Sequence, residues 1–287
     1  MAPKIPPESW RKDFKLKEFP QPEYIRLKHP AVFFHGYGAI ATLVKPTPLH
    51  DVCMKLRSHG ILSFAPNIVP YAKIEVRAES WKNVLMDLLE LLQVDKVNII
   101  AHSMGGIDAR YAITHLGIAK HTASLTTVCS PHHGTSLAEL AINTPQEIRT
   151  RLASFADWMG NQLYPDIKSD SLGSASQLTR DYIMNTFNPQ NPNHPDIPYY
   201  SYSAAIGKGT DQPVKPLILR YQNQHIFKHE EQNDGFVSVK SAKWGKHIKT
   251  VPLSHLEQIH MQIESDREEI WEQFWLDVMR MLSRAGH

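Results

Sequence analysis

The segment Val97-Asn-Ile-Ile-Ala-His-Ser-Met-Gly-Gly106 constrains the fold more than any other. An apolar run stops at a serine, and small residues lead directly into a helical pattern. That is the signature of a strand, a sharp turn and a helix, with Ser103 at the apex. A serine hydroxyl attacks carbonyls poorly unless it protrudes where a base can reach it. A strained turn provides the protrusion but tolerates only small neighbours two residues away. Here those neighbours are Ala101 and Gly105. A plain helix N-cap is the competing explanation for a serine at this place.

The rest of the chain supports the sharper reading. Short apolar runs at 31–35, 61–66, 97–102 and 125–130 alternate with helical patterns at 48–59, 78–93 and 105–116. Strand-helix alternation with continuously apolar strands predicts a mostly parallel central sheet with helices on both faces. The segment 137–190 breaks this rhythm as a helical insertion, with an apolar stripe at Ile148, Leu152, Phe155, Trp158, Met159 and Leu163. The rhythm returns with a strand at 199–206, an irregular excursion from 207 to about 246, a last strand at 247–253 and a closing amphipathic helix at 266–284. Residues 1–29, charged and proline-rich, read as a surface segment ahead of a domain at 30–287.

Composition narrows the function. With 287 residues, 21% charged and a net charge of +2, the chain suits a globular enzyme and offers no basic cluster for nucleic acid. Its two cysteines, Cys53 and Cys129, have no metal-thiolate spacing and imply no disulfide framework. No stretch is long and apolar enough for a membrane span. The N-terminus has no apolar leader region, which reads as cytoplasmic as written, or as secreted if a leader was removed.

Reactive groups in parallel sheets gather at the carboxyl ends of strands. His35-Gly36-Tyr37-Gly38 follows one such strand, and its glycines would let the Tyr37 N–H approach a developing oxyanion. The Met104 N–H at a helix start would be the second donor. His255, just after the last strand, is the candidate base. His260 is the runner-up, His247 sits at the wrong end of the strand, and His102 reads as pointing inward. For the acid, Asp211 follows the strand ending at Ile206, and Asp234 lies in an Asn-Asp-Gly turn. Spacing alone does not separate these two.

Five blocks, His-Gly-Tyr-Gly, Ala-His-Ser-Met-Gly-Gly, Cys-Ser-Pro-His-His-Gly-Thr, Asn-Asp-Gly-Phe-Val-Ser-Val-Lys-Ser-Ala-Lys-Trp-Gly and Ser-His-Leu-Glu-Gln, occur in order between about residues 31 and 263. Together they resemble the bacterial triacylglycerol lipases of the α/β-hydrolase fold, those of Pseudomonas and Burkholderia in particular. The resemblance implies Asp234 as the acid, His255 as the base, Tyr37 as an oxyanion donor, the insertion 137–190 as a lid, and an ester or lipid substrate, met at a lipid–water interface. It implies no required cofactor. Members often hold a calcium between two aspartates, one placed two residues after the catalytic histidine. That position is Glu257 here, with Asp211 as the candidate partner. The disulfide common near the acid in secreted members is not matched by Cys53 and Cys129. The expectation is a serine carboxylic ester hydrolase, lipase-like in preference to a short-chain esterase. A polyester depolymerase, thioesterase or amidase could use the same groups, and a non-catalytic binding protein could keep the fold.

Overall fold

The computed structural model describes residues 23–36, 47–146, 169–261 and 263–287. Six parallel strands form one sheet: β1 (Ala31–Phe34), β2 (Ser63–Phe64), β3 (Val97–His102), β4 (Thr122–Val128), β5 (Tyr199–Ala204) and β6 (Lys246–Val251). Their spatial order is β2-β1-β3-β4-β5-β6, every neighbouring pair parallel. β3 therefore lies inside the sheet, and β6 forms one edge.

Alternation along the strands divides the core in two. Ala31, Phe33 and Ile100 point to one face, where α1 (His50–Ser58) and α10 (Glu268–Arg284) cover them. Val32, Phe34, Ile99 and Ala101 point to the other, under α2 (Ile74–Leu92) and α3 (Gly105–His115). Trp275 of α10 meets Phe33 edge-on at 5.6 Å between ring centroids, and Trp81 of α2 stacks on Phe34 at 4.2 Å. Two indoles thus clamp β1 from opposite sides. The closing helix buries Trp271, Phe274, Trp275 and Val278, as its periodicity predicts.

The insertion starts at α4 (Ser136–Asn143) and returns as α5 (Ser171–Ser176) and a helical run at 180–190 (α6), whose middle turn Ile183–Phe187 is π-wound. The stripe from Ile148 to Leu163 lies outside the described residues. Both returning helices are fastened to the body. Ile183 and Phe187 pack with Ile74 and Ile107, and Ser174 Oγ accepts from Arg77 Nη1 at 2.9 Å.

The excursion expected to be irregular between 207 and about 246 is so only in part. It holds α7 (Arg220–Glu230) and α8 (Val239–Ala242). α7 shows little apolar periodicity because two of its three buried residues are polar: Asn223 and Glu230, beside Ile226. Asn223 Nδ2 donates to Ile206 O and Asn233 Oδ1, both at 2.9 Å. Glu230 accepts from Ser136 N at 2.7 Å and Ser238 Oγ at 2.8 Å. β2 also shrinks from the six residues expected to two. A short helix, α9 (His255–Gln258), comes soon after β6. No helix among the described residues is long and apolar enough to cross a membrane.

Candidate active site

Ser103 sits between β3 and α3 with a φ of 56°. That left-handed conformation is costly for a residue with a side chain and persists only where the surroundings enforce it. Two glycines explain the enforcement. A Cβ on Gly105 would lie 2.5 Å from Phe34 O and 2.7 Å from His35 O, so α3 can start this close to the end of β1 only without a side chain there. A Cβ on Gly36 would come within 2.5 Å of Ser103 Cβ and 2.9 Å of its Oγ. The chain leaving β1 is thus pressed against the serine.

His255 begins α9. Its Nε2 lies 2.9 Å from Ser103 Oγ, and its Nδ1 lies 2.7 Å from Asp234 Oδ2. Because Nδ1–H donates to the carboxylate, Nε2 is left to accept the serine proton. The backbone couples the two residues as well, since His255 N donates to Asp234 O at 3.0 Å.

Asp234 is completely buried and surrounded by donors. Its Oδ1 accepts from Phe236 N at 3.0 Å and Val237 N at 2.8 Å, closing the Asn-Asp-Gly turn on itself. Its Oδ2 accepts from His255 and, at 3.1 Å, from Gln258 Nε2. Burial pushes its carboxyl up, but the His255 charge and these hydrogen bonds outweigh burial and hold it below the usual carboxylate value. Asp211 lies exposed in the loop after β5.

Two further residues frame the line. Gln258 Oε1 lies 2.9 Å from His102 Nε2, so one amide joins the histidine beside Ser103 to the carboxylate. His102 is buried, and desolvation drives its pKa down to about 3, with His255 adding to the effect. It is therefore a neutral neighbour of His255, whose ring lies 4.5 Å away. Cys129, with a φ of 50°, turns its buried thiol to Asp234 and Gln258, and burial with the carboxylate raises its pKa well above normal.

The other sequence candidates go elsewhere. His260 pairs with Asp51 and Glu268, each at 2.9 Å. His247 faces Ser201 Oγ at 3.3 Å. Met104 is the N-cap of α3 and is buried. Tyr37 lies outside the described residues. His35, buried with a pKa pushed down to about 4, accepts from Ile68 N at 3.2 Å, so its Nδ1–H donates to Gly36 O at 2.9 Å. This fixes the peptide beside the serine.

No family model matches the chain. Among curated proteins it is similar to the triacylglycerol lipase of Pseudomonas fragi, 25% identical over 91% of this chain and 98% of that protein. It is also similar to that of Vibrio cholerae, 24% identical over 88% of each. Triacylglycerol lipase 2 of Saccharomyces cerevisiae is 27% identical over 77% of the chain, which spans 64% of the yeast protein's length. Among solved structures, a Bacillus licheniformis lipase in mature form superimposes with a TM-score of 0.64 at 20% identity, over 92% of this chain and 96% of that one. A metagenomic carboxyl esterase gives 0.67 at 18% identity, over all of this chain and 80% of that one. The chain has the α/β-hydrolase fold and is similar to triacylglycerol lipases.

Glu257 faces inward. It completes a capping box with Ser254 at the start of α9: its Oε2 accepts from Ser254 N at 2.6 Å, and Ser254 Oγ accepts from Glu257 N at 3.3 Å. Arg267 Nε donates to the same carboxylate. Gln258, Cys129 and Arg267 carried no signal of their own in the sequence. Glu257 did, since Ser-His-Leu-Glu spells the capping box.

Proposed function

We propose that this α/β-hydrolase is a serine carboxylic ester hydrolase of the lipase kind, with Ser103 as nucleophile, His255 as base and Asp234 as acid. The observation that carries the reading is the unbroken line Ser103 Oγ–His255 Nε2–Asp234 Oδ2 at 2.9 and 2.7 Å, headed by a positive-φ serine. His255 takes the Ser103 proton as Oγ attacks the ester carbonyl. Asp234 keeps the imidazole in the productive tautomer and stabilises its charge. His255 then gives the proton to the leaving alcohol. Water activated by His255 releases the acid from the acyl-enzyme. Met104 N–H and Tyr37 N–H are the proposed oxyanion donors, each worth roughly 3 kcal/mol in such sites. Gly36 supports this assignment, because only a residue without a side chain lets the backbone approach Ser103 so closely.

Curated relatives named triacylglycerol lipase favour an acyl-glycerol or similar apolar ester met at a lipid–water interface. The insertion 137–190 is the proposed cover of the acyl cleft, on the strength of the apolar stripe in its sequence.

Hydrolysis of p-nitrophenyl esters from acetyl to palmitoyl, with wild type beside Ser103→Ala, tests this. Serine-dependent turnover favouring long chains is expected. Turnover confined to short chains would make it an esterase with a fixed cap. Activity retained by Ser103→Ala, or none on any ester, would overturn the reading.

A further inference from the structure

We infer that the guanidinium of Arg267 is a built-in cation that does the work a bound calcium would do beside His255. The residues that would hold calcium do not fit it. Asp211 is exposed, and both Glu257 oxygens are already engaged.

What surrounds Arg267 is an all-oxygen cage. Its Nε donates to Glu257 Oε1, and its Nη2 reaches Glu257 Oε2 at 3.3 Å. Nη2 also donates to Pro252 O, and Nη1 to Gln212 Oε1 at 3.0 Å. A carboxylate, a backbone carbonyl and a side-chain amide oxygen form the kind of donor set that calcium uses. Here their spread matches a planar, permanently charged fork. Glu257 is 1% exposed and Arg267 7%. A second cation in this dry space would meet an unscreened like charge.

The cage also spans four segments. Gln212 belongs to the loop after β5. Pro252 follows β6, three residues before His255. Glu257 lies two residues after His255, and Arg267 is the N-cap of α10. One side chain therefore pins both ends of the turn that carries the imidazole. Given the reading of His255 as base, Arg267 is a positioning residue. Unlike a metal ion, it does not dissociate.

The test compares wild type, Arg267→Lys and Arg267→Ala by melting temperature in EDTA and in CaCl2, and by kcat and KM on p-nitrophenyl butyrate with and without low-millimolar guanidinium chloride. The wild-type melting temperature should be the same in EDTA and CaCl2. Arg267→Ala should lose roughly 10- to 100-fold in kcat, the range for residues that orient a catalytic group, with KM little changed. Lysine should keep part of that kcat, and guanidinium should return part of it to the alanine variant. A wild-type melting temperature that rises with CaCl2 would overturn the built-in cation. Unchanged kcat in Arg267→Ala, a loss confined to KM, or a loss that neither lysine nor guanidinium restores would overturn the positioning role. Wild type inert on all esters would sink the hydrolase reading instead, while the melting comparison still decides the cation.

Discussion

At Asp234, two oxygens face two different sets of donors. Oδ1 is held by backbone N–H groups of residues 236 and 237, which only an acceptor can satisfy. An asparagine there must keep its carbonyl on that side and turn its NH2 toward His255. The imidazole would then accept at Nδ1 and carry its proton on Nε2, facing Ser103 with the wrong tautomer. Asp234→Asn should therefore lower kcat by about four orders of magnitude with KM nearly unchanged. Asp211→Asn, at an exposed position, should change kcat less than about twofold. Steady-state kinetics on a soluble ester decides, and the reverse ranking would reassign the acid. Ser103 stood out in the sequence because it directly follows the apolar strand β3, and His255 because it follows the last strand, although β6 itself is largely polar. The choice between Asp211 and Asp234 was not legible from spacing. It depends on which loop folds back onto α9, and long-range packing sets that.

At the scale of elements, apolar strands and helices were legible because burial writes a period into the sequence. β1, β3, α3 and α10 match their expected limits to within two residues. α7 escaped because its inner face is polar. Its buried Asn223 and Glu230 hold Ile206, Asn233, Ser136 and Ser238 by hydrogen bonds, and such a face has no hydrophobic period to read. The same feature makes α7 the brace of the loop that carries Asp234. Glu230→Leu should strand the Ser136 N–H and Ser238 hydroxyl in a buried space, costing roughly 1–3 kcal/mol for each donor left unpaired. Urea unfolding measures the loss. A variant as stable as wild type would mean the brace contributes nothing. Gln224→Leu, exposed on the same helix, serves as the control.

Across the whole molecule, buried imidazoles tie stability to pH. His102 and His35 hold out against protonation to about 3 and about 4, chiefly because they are buried. In the unfolded chain both take a proton near 6.5. Between these values the unfolded state binds more protons, so stability present at neutral pH is lost as pH falls below 6.5. The loss is about 2 kcal/mol for each residue at pH 5. His132, buried and lowered for the same reason, acts with the same sign. Urea midpoints at pH 7.5 and pH 5 should differ accordingly, and equal midpoints would contradict the burial of these rings.

The hydrogen bond between His255 and Ser103 joins residues 152 positions apart, and Trp275 Nε1 holds the far end of α9 by donating to Gln258 O at 2.9 Å. The order of synthesis gives this separation a consequence. On a ribosome, the serine turn can form as soon as its strand and helix have emerged, yet the histidine that reaches it is added only 152 residues later. Until the closing helix docks, a nascent copy carries a hydroxyl of ordinary reactivity.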